Sequence, residues 1–171
     1  MKSQWTGSVT LLIALMLAFP AVVSAQTDLH VTGSGSVDTS CLVTLTENCT
    51  ITATGSMSGA GINPGTFTLR IDTGSPHTLN GYPGWPSQGF CIPASMQGIL
   101  AETGGDTLQF NHVGLVCEEG MPGSDYQYNG TFRITGGTGR FSTATGTGNI
   151  VGTFTRDAAN RALLDIRGAI Q

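Results

Sequence analysis

Apolar and polar residues alternate with a period of two over most of the chain beyond residue 26. Phe67, Leu69 and Ile71, for example, occupy alternate positions, and threonine or arginine stands between them. Successive side chains of a strand point to opposite faces of a sheet, so this alternation indicates strands with one buried face. The pattern predicts about eight strands, near 28–33, 40–46, 50–58, 65–72, 95–102, 107–117, 128–135 and 147–155, with a further one at 161–169.

Composition favours the same class of fold. The chain contains 25 glycines, is rich in threonine and lacks long helix-forming runs. Threonine and other β-branched residues suit a pleated sheet, and glycines mark its turns and bulges. The one stretch with helical character, residues 157–165, is short and has Asn160 in its middle. These features predict an antiparallel all-β domain.

The alternation changes parity in the run 107–117. Leu108 and Phe110 place apolar side chains at even positions, whereas Val113 and Leu115 place them at odd positions. One extra residue near 111–112 would restore a single inward face, so we predict a β-bulge there.

The first 25 residues have the pattern of a cleavable signal peptide. Lys2 precedes a continuous apolar run at 11–19, and small residues lead to Ala25, where we expect cleavage. The apolar run is shorter than the roughly 20 residues that a membrane-spanning helix needs. We therefore expect a secreted or periplasmic protein whose residues 26–171 form one domain, with no membrane association after cleavage.

The charge of the expected mature domain argues against two classes of partner. Its positive side chains are six arginines and no lysine, against eleven acidic residues, which gives a net charge of 6 − 11 = −5. Such a surface is poorly suited to releasing counterions from a phosphate backbone or to binding an anionic bilayer. We expect neither nucleic acid nor membrane as a partner.

Four cysteines, all beyond the signal segment, indicate disulfides in an exported chain. Three pairings are possible, and we favour Cys41–Cys49 and Cys91–Cys117 because each pair straddles a plausible turn. If the chain reverses at the turn 103–106, the residue that pairs with Cys91 lies at about position 118, one residue from Cys117. The four cysteines contain no C-x-x-C pair of the kind that binds zinc. We predict neither a metal nor a cofactor.

One glycine-rich motif resembles a known superfamily. The segment Gly136-Gly137-Thr138-Gly139-Arg140-Phe141 is similar to a turn found in dirigent proteins and allene-oxide-cyclase-like barrels. The resemblance implies a calycin-like antiparallel β-barrel of about eight strands, with a core or cavity inside. Oligomers are common in these families, and some members guide cyclisation or radical coupling of small hydrophobic substrates. Their acidic, Arg and Asn catalytic residues have no matched positions here, so the resemblance implies the fold alone.

The motif also has a direct physical interpretation. Gly136, Gly137 and Gly139 permit the positive φ angles of a sharp reversal. Phe141 can then fold back onto the core as an apolar plug, while Arg140 lies outside or caps backbone carbonyls. We interpret the motif as a structural turn, because a phosphate loop would need to open a helix.

The candidate ligand-binding residues are Tyr82, Trp85, His77 and His112. The first three lie in a Pro- and Gly-rich connection, 72–91, which is long for a compact domain. Aromatic rings on a stiff loop bind sugars, other rings or partner surfaces at low entropic cost. The alternative is that Trp85 plugs one end of the barrel. His112, beside the predicted bulge, is either a general base or an ordinary hydrogen-bonded histidine.

Other polar residues carry less weight. Glu118, Glu119 and Asp125 cluster in the sequence, and a glycoside hydrolase needs two carboxylates across a cleft. We interpret them as solvated acids of a surface loop. Asn48 and Asn129 each begin an N-x-S/T sequon. Such a sequon accepts a glycan only in a source that glycosylates asparagine.

These observations predict a non-enzymatic barrel that binds a small hydrophobic or carbohydrate ligand, or a partner protein, beneath the Tyr82–Trp85 loop. One alternative is a cyclase or dirigent-type enzyme acting on a small hydrophobic substrate, which would need buried polar residues facing a barrel cavity. Another is a structural envelope protein, which would present an exposed threonine-rich sheet face.

Export from an oxidising host should yield a chain that begins at Gln26 and weighs four hydrogens less than its reduced form. Intact mass spectrometry before and after reduction measures both quantities. A mass that retains residues 1–25 would contradict the cleavage, and a deficit of only two hydrogens would contradict the second disulfide.

Overall fold

The computed structural model describes residues 26–38, 49–74, 77–78, 90–118, 125–156 and 159–171. The predicted signal peptide 1–25 and the predicted strand 40–46 lie outside these residues. The strands are β1 (Thr27–Asp38), β2 (Thr50–Ala60), β3 (Gly65–Thr73), β4 (His77–Thr78), β5 (Phe90–Glu102), β6 (Thr107–Glu118), β7 (Tyr126–Gly137), β8 (Gly146–Phe154) and β9 (Arg161–Ile170). Within the described ranges, no helix has the length and apolar character of a membrane span.

Eight antiparallel strands close into a barrel. The strand order is β3-β2-β1-β9-β8-β7-β6-β5, and β3 pairs with β5 to complete the circle. The short strand β4 adds to β5 beyond the end of β3, where His77 pairs with Cys91. The structure thus confirms the prediction of an all-β, eight-stranded antiparallel barrel.

The two ends of the barrel differ in their connections. At one end, here called the turn end, short segments at 61–64, 103–106 and 138–145 join the strands. At the other, the loop end, the connections are 39–49, 74–89, 119–125 and 155–160. The undescribed residues between strands all belong to loop-end connections.

Aromatic rings and glycines alternate across the inner face of the barrel. Four buried rings lie directly opposite glycines on neighbouring strands: Phe67–Gly55, Phe110–Gly98, Phe132–Gly148 and Tyr128–Gly152. A Cβ atom placed on Gly98 would lie 2.1 Å from the Phe110 ring. The missing side chains therefore provide the space that the rings fill, as required for a close-packed interior.

Three further cross-strand positions pair glycine with glycine: Gly35–Gly55, Gly114–Gly130 and Gly148–Gly168. A Cβ atom on Gly114 would lie 2.2 Å from the Asn129 carbonyl oxygen and 2.8 Å from the Gly130 Cα. These contacts are too short for any other residue type, so the glycines allow neighbouring backbones to approach closely on the inner face. Such approach lets the sheet coil into a narrow barrel.

The predicted bulge at residues 111–112 is wrong. Strand β6 keeps an uninterrupted register with β5, and it buries His112 while leaving 62% of Val113 exposed. The irregularity lies instead between Gln109 and Phe110 in the pairing with β7, where Thr135 is the extra residue. The physical reason is that the histidine, rather than the valine, has a polar partner inside the barrel.

The disulfide Cys91–Cys117 is confirmed, with an S–S distance of 1.98 Å. The two cysteines face each other directly in the register of β5 and β6. The fold class was predicted with two disulfides, and the structure describes this one. Cys41 lies outside the described residues, so the pairing Cys41–Cys49 stays a prediction.

The glycine-rich motif closes the turn end. Gly136 and Gly139 adopt positive φ angles of 125° and 56°, and Phe141 is buried at 2% exposure. Arg140 forms an ion pair with the buried Glu102, donates to the Gly61 carbonyl at 3.2 Å and stacks on the Phe141 ring at 4.2 Å. The hydrogen bond from Arg140 lowers the pKa of Glu102 to about 2. The arginine therefore fastens this turn to two other connections of the same end.

Replacing Gly114 with alanine should lower the free energy of unfolding by about 1–3 kcal/mol, because a Cβ has no space against the neighbouring backbone. Gly104→Ala is the matched control, since a Cβ there would meet nothing within 4 Å and its φ is not positive. Urea denaturation of the two variants measures the difference. Equal stabilities would show that the close approach of the strands does not constrain the fold.

Candidate functional site

A cavity of about 770 Å³ lies on the outer face of the barrel, across strands β3 and β5 to β8. We call it the outer groove. Its outward-facing lining consists of polar side chains and one valine: Asp72, Ser95, Gln97, Asn111, Val113, Thr131, Arg133, Thr147 and Asn149. The groove lies on the side of the barrel, over the middle of the strands.

The alternation of the strands places these side chains outside. In β5, β6, β7 and β8 the even-numbered residues face the core, so the odd-numbered residues face solvent. The pairing registers then align them in two adjacent rows across the five strands. The first row is Arg70, Gln97, Asn111, Arg133 and Thr147, and the second is Asp72, Ser95, Val113, Thr131 and Asn149.

A second cavity, of about 400 Å³, adjoins the first on its turn-end side. It shares Gln97 and Asn111 with the outer groove and adds Thr68, Gln109 and Thr135. The polar surface therefore extends over more than two rows of side chains. Neighbouring strands are about 4.8 Å apart, so five strands give the groove a width of about 19 Å.

At the β3 edge of the groove, the positive charge of Arg70 neutralises the negative charge of Asp72. Asp72 accepts a hydrogen bond from Thr50 at 2.7 Å and forms an ion pair with Arg70 at 3.3 Å. The Thr50 hydrogen bond, followed by the contacts with Arg70, lowers the pKa of the Asp72 carboxyl. The carboxylate is thus ionised and compensated, which leaves the amides, hydroxyls and Arg133 to determine what the groove attracts.

His112, a predicted site residue, is among the lining residues of the groove cavity, but its side chain is buried. It is 2% exposed, and the Tyr128 hydroxyl contacts both of its ring nitrogens, Nδ1 closely and Nε2 at 3.1 Å. Burial lowers the pKa of the imidazole to about 3. The ring is therefore neutral at physiological pH and acts as the hydrogen-bond partner of a buried tyrosine.

The other three predicted ligand-binding residues belong to one loop-end connection. His77 is described in its backbone alone, at the loop end beside Cys91. Tyr82 and Trp85 lie outside the described residues, so their role stays a prediction. The connection that carries them starts and ends at the loop end, whereas the groove crosses the middle of the strands.

Glu118, one member of the acidic cluster, differs from its sequence interpretation, while Glu119 lies outside the described residues. Glu118 is buried at 8% exposure and receives a hydrogen bond from Arg156 at 2.6 Å, so it is not a solvated surface acid. The same arginine lies 5.1 Å from the centroid of the Tyr126 ring, and its backbone N–H donates to Asp125 at 3.1 Å. Burial raises the pKa of Tyr126. This arrangement binds β6, β7 and β8 together at the loop end.

Acidification should weaken the fold through His112. Its pKa is about 3 in the folded state and 6.5 in the unfolded state, so the unfolded chain binds more protons between these values. Stability therefore falls as pH drops below 6.5, by about 2 kcal/mol between pH 7 and pH 5. Urea denaturation at both pH values measures this loss.

The double variant His112→Leu/Tyr128→Phe is the control, because it removes the imidazole and the hydroxyl together, so that neither is left buried without the other. It should show little change in stability between pH 7 and pH 5. An equal pH effect in the double variant would mean that another group causes it.

The groove can offer a ligand hydrogen bonds from amides and hydroxyls, and the positive charge of the Arg133 guanidinium. No cluster of three or more His, Cys, Asp or Glu side chains that could hold a metal ion occurs in the described part of the chain. Comparison with protein-family models, curated proteins and solved structures finds no match. Function must therefore be inferred from the geometry of the barrel and its groove.

Proposed function

We propose that this protein is a secreted or periplasmic barrel that binds a carbohydrate in the outer groove. The observation that carries the proposal is the pair of cross-strand rows, whose amides and hydroxyls converge on one cavity. The disulfide Cys91–Cys117 supports export, because such bridges persist in oxidising compartments.

The side chains of the groove match the hydrogen-bonding needs of a sugar. Each amide of Gln97, Asn111 and Asn149 offers both donors and an acceptor, and each threonine hydroxyl does the same. Sugar hydroxyls also donate and accept, so the two surfaces can pair without leaving polar groups unsatisfied. Exposed Val113 provides an apolar patch for the C–H groups of a sugar ring.

The groove is also prearranged for binding. Its side chains project from the interior of five paired strands rather than from loops, so the backbone positions are fixed before a ligand arrives. Rigid elements hold a binding constellation more accurately than loops and lower the entropic cost of association. Side chains held in fixed positions in this way favour the binding of a ligand.

A hydrophobic ligand fits the groove poorly. Val113 is the one apolar side chain among the outward-facing residues of the groove, and an apolar ligand would cover the surrounding amides and hydroxyls without replacing their hydrogen bonds to water. The inner face holds apolar groups, but four of its rings already pack against glycines. Carbohydrate is therefore the better of the two ligand classes that the sequence suggests.

A second candidate function, contact with a partner as part of an envelope structure, is favoured by a different face. The outward positions of β1, β2 and β3 form a continuous hydroxyl-bearing surface. Its residues are Thr32, Ser34, Ser36, Thr50, Thr52, Thr54, Ser56, Ser58, Thr66 and Thr68. Such a face suits a polar partner. Of its residues, however, only Thr68 lines either of the two cavities described above. The cyclase alternative has less support, since His112 and Tyr128 satisfy each other inside the barrel.

Titration with defined tetrasaccharides should reveal saturable binding that depends on the groove. Asn111→Ala and Asn149→Ala should each weaken it by about 5- to 10-fold, the loss expected for one net hydrogen bond. Calorimetry with tetramers of glucose, N-acetylglucosamine and galacturonic acid measures these affinities.

Gln127→Ala is the matched control, because Gln127 faces outward on β7 but lies outside the groove. Its affinity should equal that of the unchanged protein. Two results would contradict the proposal: no saturable binding of any of the three tetramers, or binding that Asn111→Ala and Asn149→Ala leave unaltered.

A further inference from the structure

Arg133 lines the outer groove from β7, the fourth of its five strands counted from β3. In the first cross-strand row it stands between Asn111 on β6 and Thr147 on β8, and its side chain is exposed. Amide and hydroxyl groups flank it on both sides. A ligand bound along the first row would lie against its guanidinium.

The bonding of Arg133 differs from that of other arginines in the barrel. Four have a carboxylate partner: Arg70 with Asp72, Arg140 with Glu102, Arg156 with Glu118, and Arg167 with Asp165. Among the residues that the structure describes, Arg133 has no carboxylate within ion-pair distance. Its five N–H donors are thus open to a ligand.

The charge of the surroundings makes this position unusual. The full chain has a formal net charge of −4, so an average patch of its surface repels anions. Within the groove, however, the Asp72 carboxylate is compensated by Arg70 and hydrogen-bonded by Thr50. The charge that remains uncompensated there is that of Arg133, and it is positive.

We infer, on the basis of the proposed function, that the carbohydrate is an anionic oligosaccharide whose uronate carboxylate pairs with Arg133. The planar guanidinium can donate two parallel hydrogen bonds to a carboxylate, which is the geometry that arginine recognises best. The flanking Asn111 and Thr147 then bind hydroxyl groups of the same or the adjacent sugar.

The dimensions of the groove favour a chain over a single sugar. Its rows cross five strands, a width of about 19 Å. Arg133 lies on the fourth of these strands counted from β3, so the charged unit sits towards the β8 side. Amides and hydroxyls of β5 and β6 remain for the sugars that extend towards β3.

Calorimetry with uronate tetrasaccharides and their methyl esters tests the inference, because esterification removes the charge but keeps the sugar skeleton. The oxidised mature protein should bind tetragalacturonate or tetramannuronate at least about tenfold more tightly than the corresponding ester. Arg133→Gln should abolish this preference, because the affinity for the acid falls to about that for the ester. Arg133→Lys should retain part of it, since lysine keeps the charge but loses the planar donor pair.

Arg167→Gln is the matched control, because Arg167 is an exposed strand arginine that is paired with Asp165 and is not a lining residue of the groove. It should keep the preference for the acid. If acid and ester bind the unchanged protein equally, or if Arg133→Gln keeps the preference, the anionic ligand is wrong while carbohydrate binding stands. If neither the uronates nor the neutral tetramers bind, the inference and the proposed function both fail.

Discussion

The packing of aromatic rings against glycines on the inner face is the constraint on which the rest of the barrel depends. Each ring needs the volume that a side chain on the opposite strand would take, as the 2.1 Å approach to a Cβ on Gly98 shows. Each glycine in turn needs a neighbouring ring or backbone to avoid leaving a void. Because Gly148 faces Phe132 on one side and Gly168 on the other, the two kinds of pair are linked into one network.

This network fixes the closure of the barrel, and the closure fixes the outer surface. Once β3 pairs with β5, the inward and outward sets of every strand are determined, because a shift of one residue would exchange the two faces. The outer rows of polar residues are therefore a consequence of how the core packs. Side chains arranged in this way need no separate loops to hold them in place.

Buried ion pairs fasten both ends of the barrel in a similar manner. At the turn end Arg140 pairs with Glu102 and stacks on Phe141, and at the loop end Arg156 pairs with Glu118 near Tyr126. In each case an arginine covers an aromatic ring and neutralises a buried carboxylate. The groove lies between these two fastened ends, on the most regular part of the sheet.

The sequence by itself determined eight of the nine described strands and the disulfide Cys91–Cys117, because these depend on local period-two patterning and on symmetry about one short turn. It could not decide which face of β6 turns inward, since apolar Val113 and polar His112 compete and only Tyr128, sixteen residues away, settles the choice. It also could not reveal the outer groove. Gln97, Arg133 and Asn149 are far apart in the chain, and only the pairing registers of the closed barrel bring them into one surface.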